Sequence, residues 1–192
     1  MEPLAAIVLA GGRATRLGGV HKPGLIVGQS TLLERVLAAV AGAAAVIVVG
    51  PPQPVPPGTV LTREEPPGGG PVAALAAGLA ALPGQATFVA VLAADLPFLT
   101  PEAITDLRAA CTEDGAVLVD ADGRDQYLAG VWRVAALRRA LARFGDPAGG
   151  AMRRLVAGLD LARVALPGGS GAPAPWFDCD DPQDLDEAKR WT

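Results

Sequence analysis

Stretches in which nearly every residue is apolar alternate, along this chain, with stretches in which apolar residues recur at helical spacing. Ala5–Ala10, Ala45–Val49 and Thr87–Ala93 are almost unbroken runs of small and branched apolar side chains. Runs without polar alternation are the pattern of strands covered on both faces. Between the first two, Leu32, Leu33, Val36, Leu37 and Val40 share a helical face. They follow a Thr31-x-x-Glu34 capping box, in which the threonine oxygen accepts a helix amide and the glutamate reaches back. Gly42 offers a stop. Pro51 to Pro57 holds five prolines in seven residues, which excludes a central strand, and a short strand near Val60-Leu61 follows. Pro71 suits a first helical turn, and Val72–Leu82 behind it has no polar face, so it predicts a helix buried on most sides.

The second half continues the alternation with one change. Thr100 caps a helix whose first residue is Pro101. Ala116–Val119 reads as a strand, and Asp122-Gly123 as a hairpin turn into Gln126–Arg133. Leu137–Phe144 and Met152–Leu159 read as helices, Ala162–Leu166 as a strand, and Asp181-Pro182 opens a last helix. Gly168–Pro175 is a Gly/Pro-rich surface loop. The β-α-β-α order predicts an α/β fold: a doubly wound, mostly parallel sheet with helices on both faces and an antiparallel excursion in the second half. No repeat and no composition break divides the 192 residues, so residues 1–192 form one expected domain.

Composition narrows the function classes. Hydrophobic residues make up 51% and charged residues 19%, which excludes disorder. A formal net charge of −4 argues against a nucleic-acid partner, so any phosphate site is a local basic spot. No apolar run approaches the ~20 residues of a membrane span, so no membrane association is expected. Leu4 to Ala10 could mimic a signal-peptide core, but Glu2 precedes it with no Lys or Arg, which favours a first strand. The two cysteines, Cys111 and Cys179, form neither a CxxC pair nor a disulfide framework; a reducing, cytoplasmic location is the expectation.

The chemistry concentrates in LAGGRATRLGGVHK, Leu9 to Lys22, with four glycines, two arginines and a lysine in fourteen residues. It follows the first strand at once. Adjacent Gly11-Gly12 with no further glycine until Gly18 breaks the dinucleotide pattern G-x-G-x-x-G, and Lys22 without a following Ser or Thr breaks the P-loop pattern. One alternative is an ordinary turn with solvated basic residues. The other is a longer loop whose amides wrap a nucleotide while Arg13, Arg16 and Lys22 face its triphosphate. His21, the one histidine, has no assigned role. Glu64 precedes a second glycine-rich loop, Glu64–Pro71. Asp95 ends the third strand and is either a turn residue or a Mg²⁺ ligand; Mg²⁺ binds one or two carboxylates together with phosphate oxygens and water. In FDCDDPQDL, Asp181 has the position of a helix cap, and Asp180 either completes the metal site or serves only the loop. Ligands of open α/β sheets bind beyond the carboxyl ends of the strands, so Gly11-Gly12, Glu64 and Asp95 are expected to converge.

Taken together, L-A-G-G-x-x-x-R-x-G-x-x-K, the Gly-Pro that opens an apolar helix and D-x-P after a strand resemble the MobA-like nucleotidyltransferase family, over nearly the whole chain. The resemblance implies a Rossmann-like domain that transfers GMP from Mg-GTP to the terminal phosphate of molybdenum-bearing molybdopterin, releasing pyrophosphate. It implies that Leu9, Ala10 and Gly11 contact the nucleoside through their backbone, that Lys22 binds phosphate, that Glu64 takes the position of the family's acid before the second glycine loop, where aspartate is usual, and that Asp95 takes that of its metal aspartate. It also implies partners: GTP, a molybdopterin-type cofactor, and proteins that deliver or accept it. Arg16 and Lys22 would offset charge on the leaving pyrophosphate. Gly12, where related cytidylyltransferases tend to carry alanine, tilts the expected base toward guanine. This sequence departs from the family at His21, at Gln126-Tyr127, and at Asp178-Cys179-Asp180, where asparagines are usual. Two alternatives remain at this stage. One is a relative that transfers CMP, or a nucleotide to another small phosphate; the other is a nucleotide-binding delivery protein without catalysis.

Overall fold

The structure is a computed structural model and describes residues 2–11, 22–168 and 173–192. Nine strands and six α-helices follow in order among these residues. They are β1 (Leu4–Leu9), β2 (Ile26–Val27), β3 (Ser30–Thr31), α1 (Leu32–Ala39), β4 (Val46–Val49), β5 (Val60–Thr62), α2 (Gly70–Ala81) and β6 (Phe88–Ala93). Then come α3 (Pro101–Ala110), β7 (Gly115–Val119), β8 (Asp125–Arg133), α4 (Val134–Phe144), α5 (Met152–Leu155), β9 (Leu161–Val164) and α6 (Pro182–Arg190).

Seven strands form one sheet in the order β5-β4-β1-β6-β8-β7-β9, and β2 and β3 form a small antiparallel ribbon. β1 pairs in parallel with β4 and β6, β4 with β5, and β7 with β9. Only β8 runs against its neighbours, pairing antiparallel with both β6 and β7. It is the expected excursion, and it starts at the expected turn. Gly123 takes a left-handed φ of 78°, which a glycine adopts without a Cβ clash. Asp120 closes the turn by accepting from the amides of Asp122 and Arg124.

Alternate residues of the central strands feed two cores. Ala6, Val8, Val48, Ala90 and Leu92 face α1 and α3; Ala5, Ile7, Ile47, Val89 and Val91 face α2, α4 and α5. Burial on both faces is why these strands read as unbroken apolar runs. The Thr31–Glu34 capping box forms in full, and Thr100 caps α3 by accepting from the amide of Ala103. Three elements differ from expectation. The helix expected over Met152–Leu159 is a single turn, α5, because Gly158 turns back to donate to the Val156 carbonyl. α4 begins at Val134, directly from β8, rather than at Leu137. β9 covers Leu161–Val164 rather than Ala162–Leu166. No helix among the described residues is long and apolar enough to cross a membrane.

α2 lies unusually close to the sheet. A Cβ on Gly78 would sit 2.6 Å from Cγ2 of Ile7 and 3.1 Å from Cγ2 of Val49, both on fully buried residues. Alanine there would gain about 1 kcal/mol of helix propensity. It would also overpack a core whose side chains have nowhere to go, at a cost of about 1–3 kcal/mol. Gly78→Ala is therefore expected to lower the urea midpoint of unfolding. A raised midpoint would show that α2 can lift from β1 freely.

Candidate functional site

The sheet register itself assembles the site. Leu9 pairs with Val49 on one side and Ala93 on the other, and Val49 pairs with Thr62. One row therefore crosses the carboxyl ends of four parallel strands. Two residues beyond that row, in the same order, stand Gly11, Pro51, Asp95 and Glu64. All four line a cavity of about 980 Å³. Backbone bonds fix the strand exits: Ala10 N–H donates to Val49 O (2.7 Å), and Ala94 N–H donates to Leu9 O (3.1 Å). Gly68, Gly70, Pro71 and Ala74, the second glycine loop and first turns of α2, supply another wall.

Lys22 enters from the other side, at the start of a short 3-10 turn, Lys22–Gly24, whose Pro23 is buried. Its ammonium lies 2.5 Å from Oδ2 of Asp95 and 2.6 Å from Oδ1 of Asp180. Burial lowers the ammonium's pKa, but the charge of Asp95 and the hydrogen bonds with Asp180 and Asp95 outweigh it and hold the pKa above its ordinary value. Lys22 is therefore charged at every pH at which the protein would be studied.

Asp180 reaches this place because the C-terminal segment is stitched to β6. Cys179 N–H donates to Asp95 O (3.2 Å), and the Cys179 side chain is buried with Val27, Leu32 and Ala188. Asp181 takes the helix cap, accepting from the amides of Gln183 and Asp184, while Asp184 accepts from those of Asp180 and Asp181. With Asp181 and Asp184 committed to the cap, Asp180 alone turns to Lys22. Beside them, the carboxyl of Asp178 is pushed up to about 6 by partial burial, then by the charges of Asp180 and Asp95.

Leu9, Gly11, Lys22, Glu64, Asp95 and Asp180 thus meet at one cavity, as the motifs require, with Ala10 buried directly beneath. Gly12 and Arg16 lie outside the described residues. Among the described residues Glu64 is the one buried charged side chain, and its Oε1 accepts from the amide of Gly68 (2.9 Å). Its other oxygen carries no hydrogen bond from a described residue. Oδ1 of Asp95 is buried with no hydrogen-bond partner among the described residues. Sequence reasoning missed Arg63 and Leu128, which also line the cavity. Arg63 was legible as the residue before Glu64. Leu128 was not, because a register break places it. Between β7 and β8 the pairing steps from Val117↔Gly130 to Leu118↔Gln126, and the extra residues of β8 bulge at the cavity rim.

Comparison with known proteins adds the following. The family model described as a MobA-like NTP transferase domain matches residues 6–164. A probable molybdenum cofactor guanylyltransferase of Mycolicibacterium paratuberculosis is 40% identical over 171 residues, covering 85% of this chain and 86% of the relative. The crystal structure of molybdopterin-guanine dinucleotide biosynthesis protein A from Archaeoglobus fulgidus superposes with a TM-score of 0.74 at 18% identity, over 97% of each chain. That of 2-C-methyl-D-erythritol 4-phosphate cytidylyltransferase from Thermus thermophilus gives 0.71 at 27% identity, over 98% of each.

The docking of the C-terminal segment has a chemical readout. Burial, then the charge of Asp95, pushes the Cys179 thiol up to about 12, so at pH 8 it is a protonated, sheltered thiol. Peptide mapping after a thiol-reagent pulse should find Cys179 unmodified in the folded protein and modified in urea. Rapid modification without denaturant would mean that the segment carrying Asp180 detaches from Asp95.

Proposed function

The chain belongs to the MobA-like NTP transferase family, and its relatives are nucleotidyltransferases; from that premise we propose that it transfers GMP from Mg-GTP to a molybdopterin-type cofactor, releasing pyrophosphate. The observation that carries this reading is the cluster of Asp95, Lys22 and Asp180 at the mouth of a cavity large enough for a nucleotide. The base is held deep in the cavity, where the strand exits around Leu9 and Gly11 offer backbone groups and Glu64 offers a carboxylate. The free oxygen of Glu64 suits guanine, whose ring edge presents adjacent N–H donors. Arg63 lines the same end.

Asp95 and Asp180 fit a divalent cation. Among the described residues Asp95 Oδ1 is a buried acceptor without a hydrogen-bond partner, and no group of three or more acidic, His or Cys ligands occurs, so substrate phosphates and water would complete the shell. Mg²⁺ bound there would supply charge neutralisation at the reacting phosphates. Lys22, with Arg16, neutralises the triphosphate and the pyrophosphate that leaves. The acceptor's phosphate oxygen attacks the α-phosphorus in line; one P–O bond forms as the bond from the α-phosphorus to the bridging oxygen breaks. A phosphate acceptor is already ionised at neutral pH, so the step needs no general base, and the protein's part is positioning and charge. The likeness to a cytidylyltransferase keeps CMP transfer as the second reading.

Pyrophosphate release, measured with each of the four nucleoside triphosphates, with and without Mg²⁺ and acceptor, tests the proposal. Release is expected with GTP alone among them, and only when both Mg²⁺ and acceptor are present. Preference for CTP would move the chain to the second reading, and nucleotide binding without release would make it a delivery protein. Asp95→Ala should abolish turnover while leaving the melting curve nearly unchanged; near-normal activity would remove Asp95 from the site. Lys22→Ala should raise KM for GTP more than KM for the acceptor, and unchanged kinetics would exclude Lys22.

A further inference from the structure

Among the described residues, Lys22 and Arg63 are the two basic side chains on the cavity lining. Lys22 is committed to Asp95 and Asp180. Arg63 is exposed and makes no hydrogen bond or ion pair with any described residue, although Glu64 and Glu65 follow it directly in the chain. The cavity therefore carries one guanidinium with all its donors free of described partners.

The backbone on both sides of Arg63 is fixed. Gly50 N–H donates to Thr62 O (2.9 Å), which ties the end of β5 to the exit of β4. On the other side, Glu64 Oε1 accepts from the amide of Gly68, and a Cβ on Gly11 would lie 3.9 Å from the same oxygen. The carboxylate of Glu64 thus stands against the exit of β1. Arg63 is its neighbour on the same lining, together with Pro51 and Pro67.

Strand order sets this pair apart from the charged cluster. β5 and β6 lie three strand spacings apart, across β4 and β1, which is about 14 Å. Arg63 follows β5 and Asp95 follows β6, so the two bound the cavity at opposite ends. A nucleotide whose α-phosphate lies at Asp95 brings its base, and not its phosphates, to Arg63.

Arginine reads guanine by donating two hydrogen bonds to O6 and N7. A carboxylate reads the adjoining edge, N1–H and the 2-amino group. Guanine is the one base of the four that carries both pairs on neighbouring edges. Adenine puts an amino group where O6 would be, and a guanidinium has no acceptor for it. Cytosine and uracil lack the second ring and with it N7. Resting on the use of GTP proposed above, we infer that Arg63 sets the base preference, donating to O6 and N7 while Glu64 accepts from the adjoining edge.

Calorimetric titration in the presence of Mg²⁺ measures nucleotide affinity without an acceptor, so its result does not depend on turnover. The wild type is expected to bind GTP about tenfold more tightly than 7-deaza-GTP, which carries C–H in place of N7. Arg63→Ala should weaken GTP about ten- to a hundredfold and bind GTP and 7-deaza-GTP equally. Arg63→Lys, a point charge that cannot span both atoms, should recover only part of the loss. Arg63 is exposed, so both variants should melt as the wild type does. Unchanged GTP affinity in Arg63→Ala, or a 7-deaza-GTP penalty that persists in it, overturns the inference and leaves GTP use intact. Tighter binding of CTP than of GTP by the wild type overturns the guanine reading beneath it, so the two failures are distinct.

Discussion

Two carboxylates, those of Asp95 and Asp180, are brought within hydrogen-bonding range of the single ammonium of Lys22, and the site is organised around that contact. Neighbouring like charges at a partly buried place repel, and a cation between them is what makes the arrangement tolerable. Asp95 comes from the end of β6, Asp180 from the approach to α6, and Lys22 from the end of the glycine-rich opening loop. One contact therefore closes three distant parts of the chain around the same cavity. On the proposed reading it would also poise the site, because Lys22 and a divalent cation would compete for the same oxygens. A triphosphate that drew the ammonium toward itself would free those oxygens for a metal.

Beneath the charges lies a geometric constraint. The parallel strands end level, and each contributes its functional group two residues past the shared row. A one-residue slip in register would turn the strand's side chains to the opposite face, breaking both cores and the cavity together. Stability and function are thus set by the same pairing. The close seat of Gly78 on Ile7 keeps α2 low against β1, and the first turn of α2 walls the cavity.

Much of this was legible from residues alone, and the reasons are specific. Runs such as Ala5–Ala10 could only be two-faced strands, and Thr31, Thr100 and Asp181 announced their helices by the oxygens they carry. Asp181 in its cap also separated it from Asp180, one residue away, which faces Lys22. Other features depend on tertiary pairing and left no local mark. The bulge in β8 is a shift of its register along β7, between Val117 and Leu118, so nothing in Tyr127-Leu128 advertises it. α5 stops after one turn although its apolar spacing continues. The β2–β3 ribbon, two residues per strand, is too short for any periodicity to show.

The central claim is that one sheet edge holds the nucleotide between its glycine exits and the Asp95–Lys22–Asp180 cluster. A crystal structure with Mg²⁺ and a non-hydrolysable GTP analogue tests it most directly. The account predicts the guanine near Gly11 and Glu64, the α-phosphate beside Asp95, and Lys22 turned to the phosphates. A nucleotide bound with its base remote from Gly11 and Glu64, or with its phosphates remote from Asp95, would contradict it.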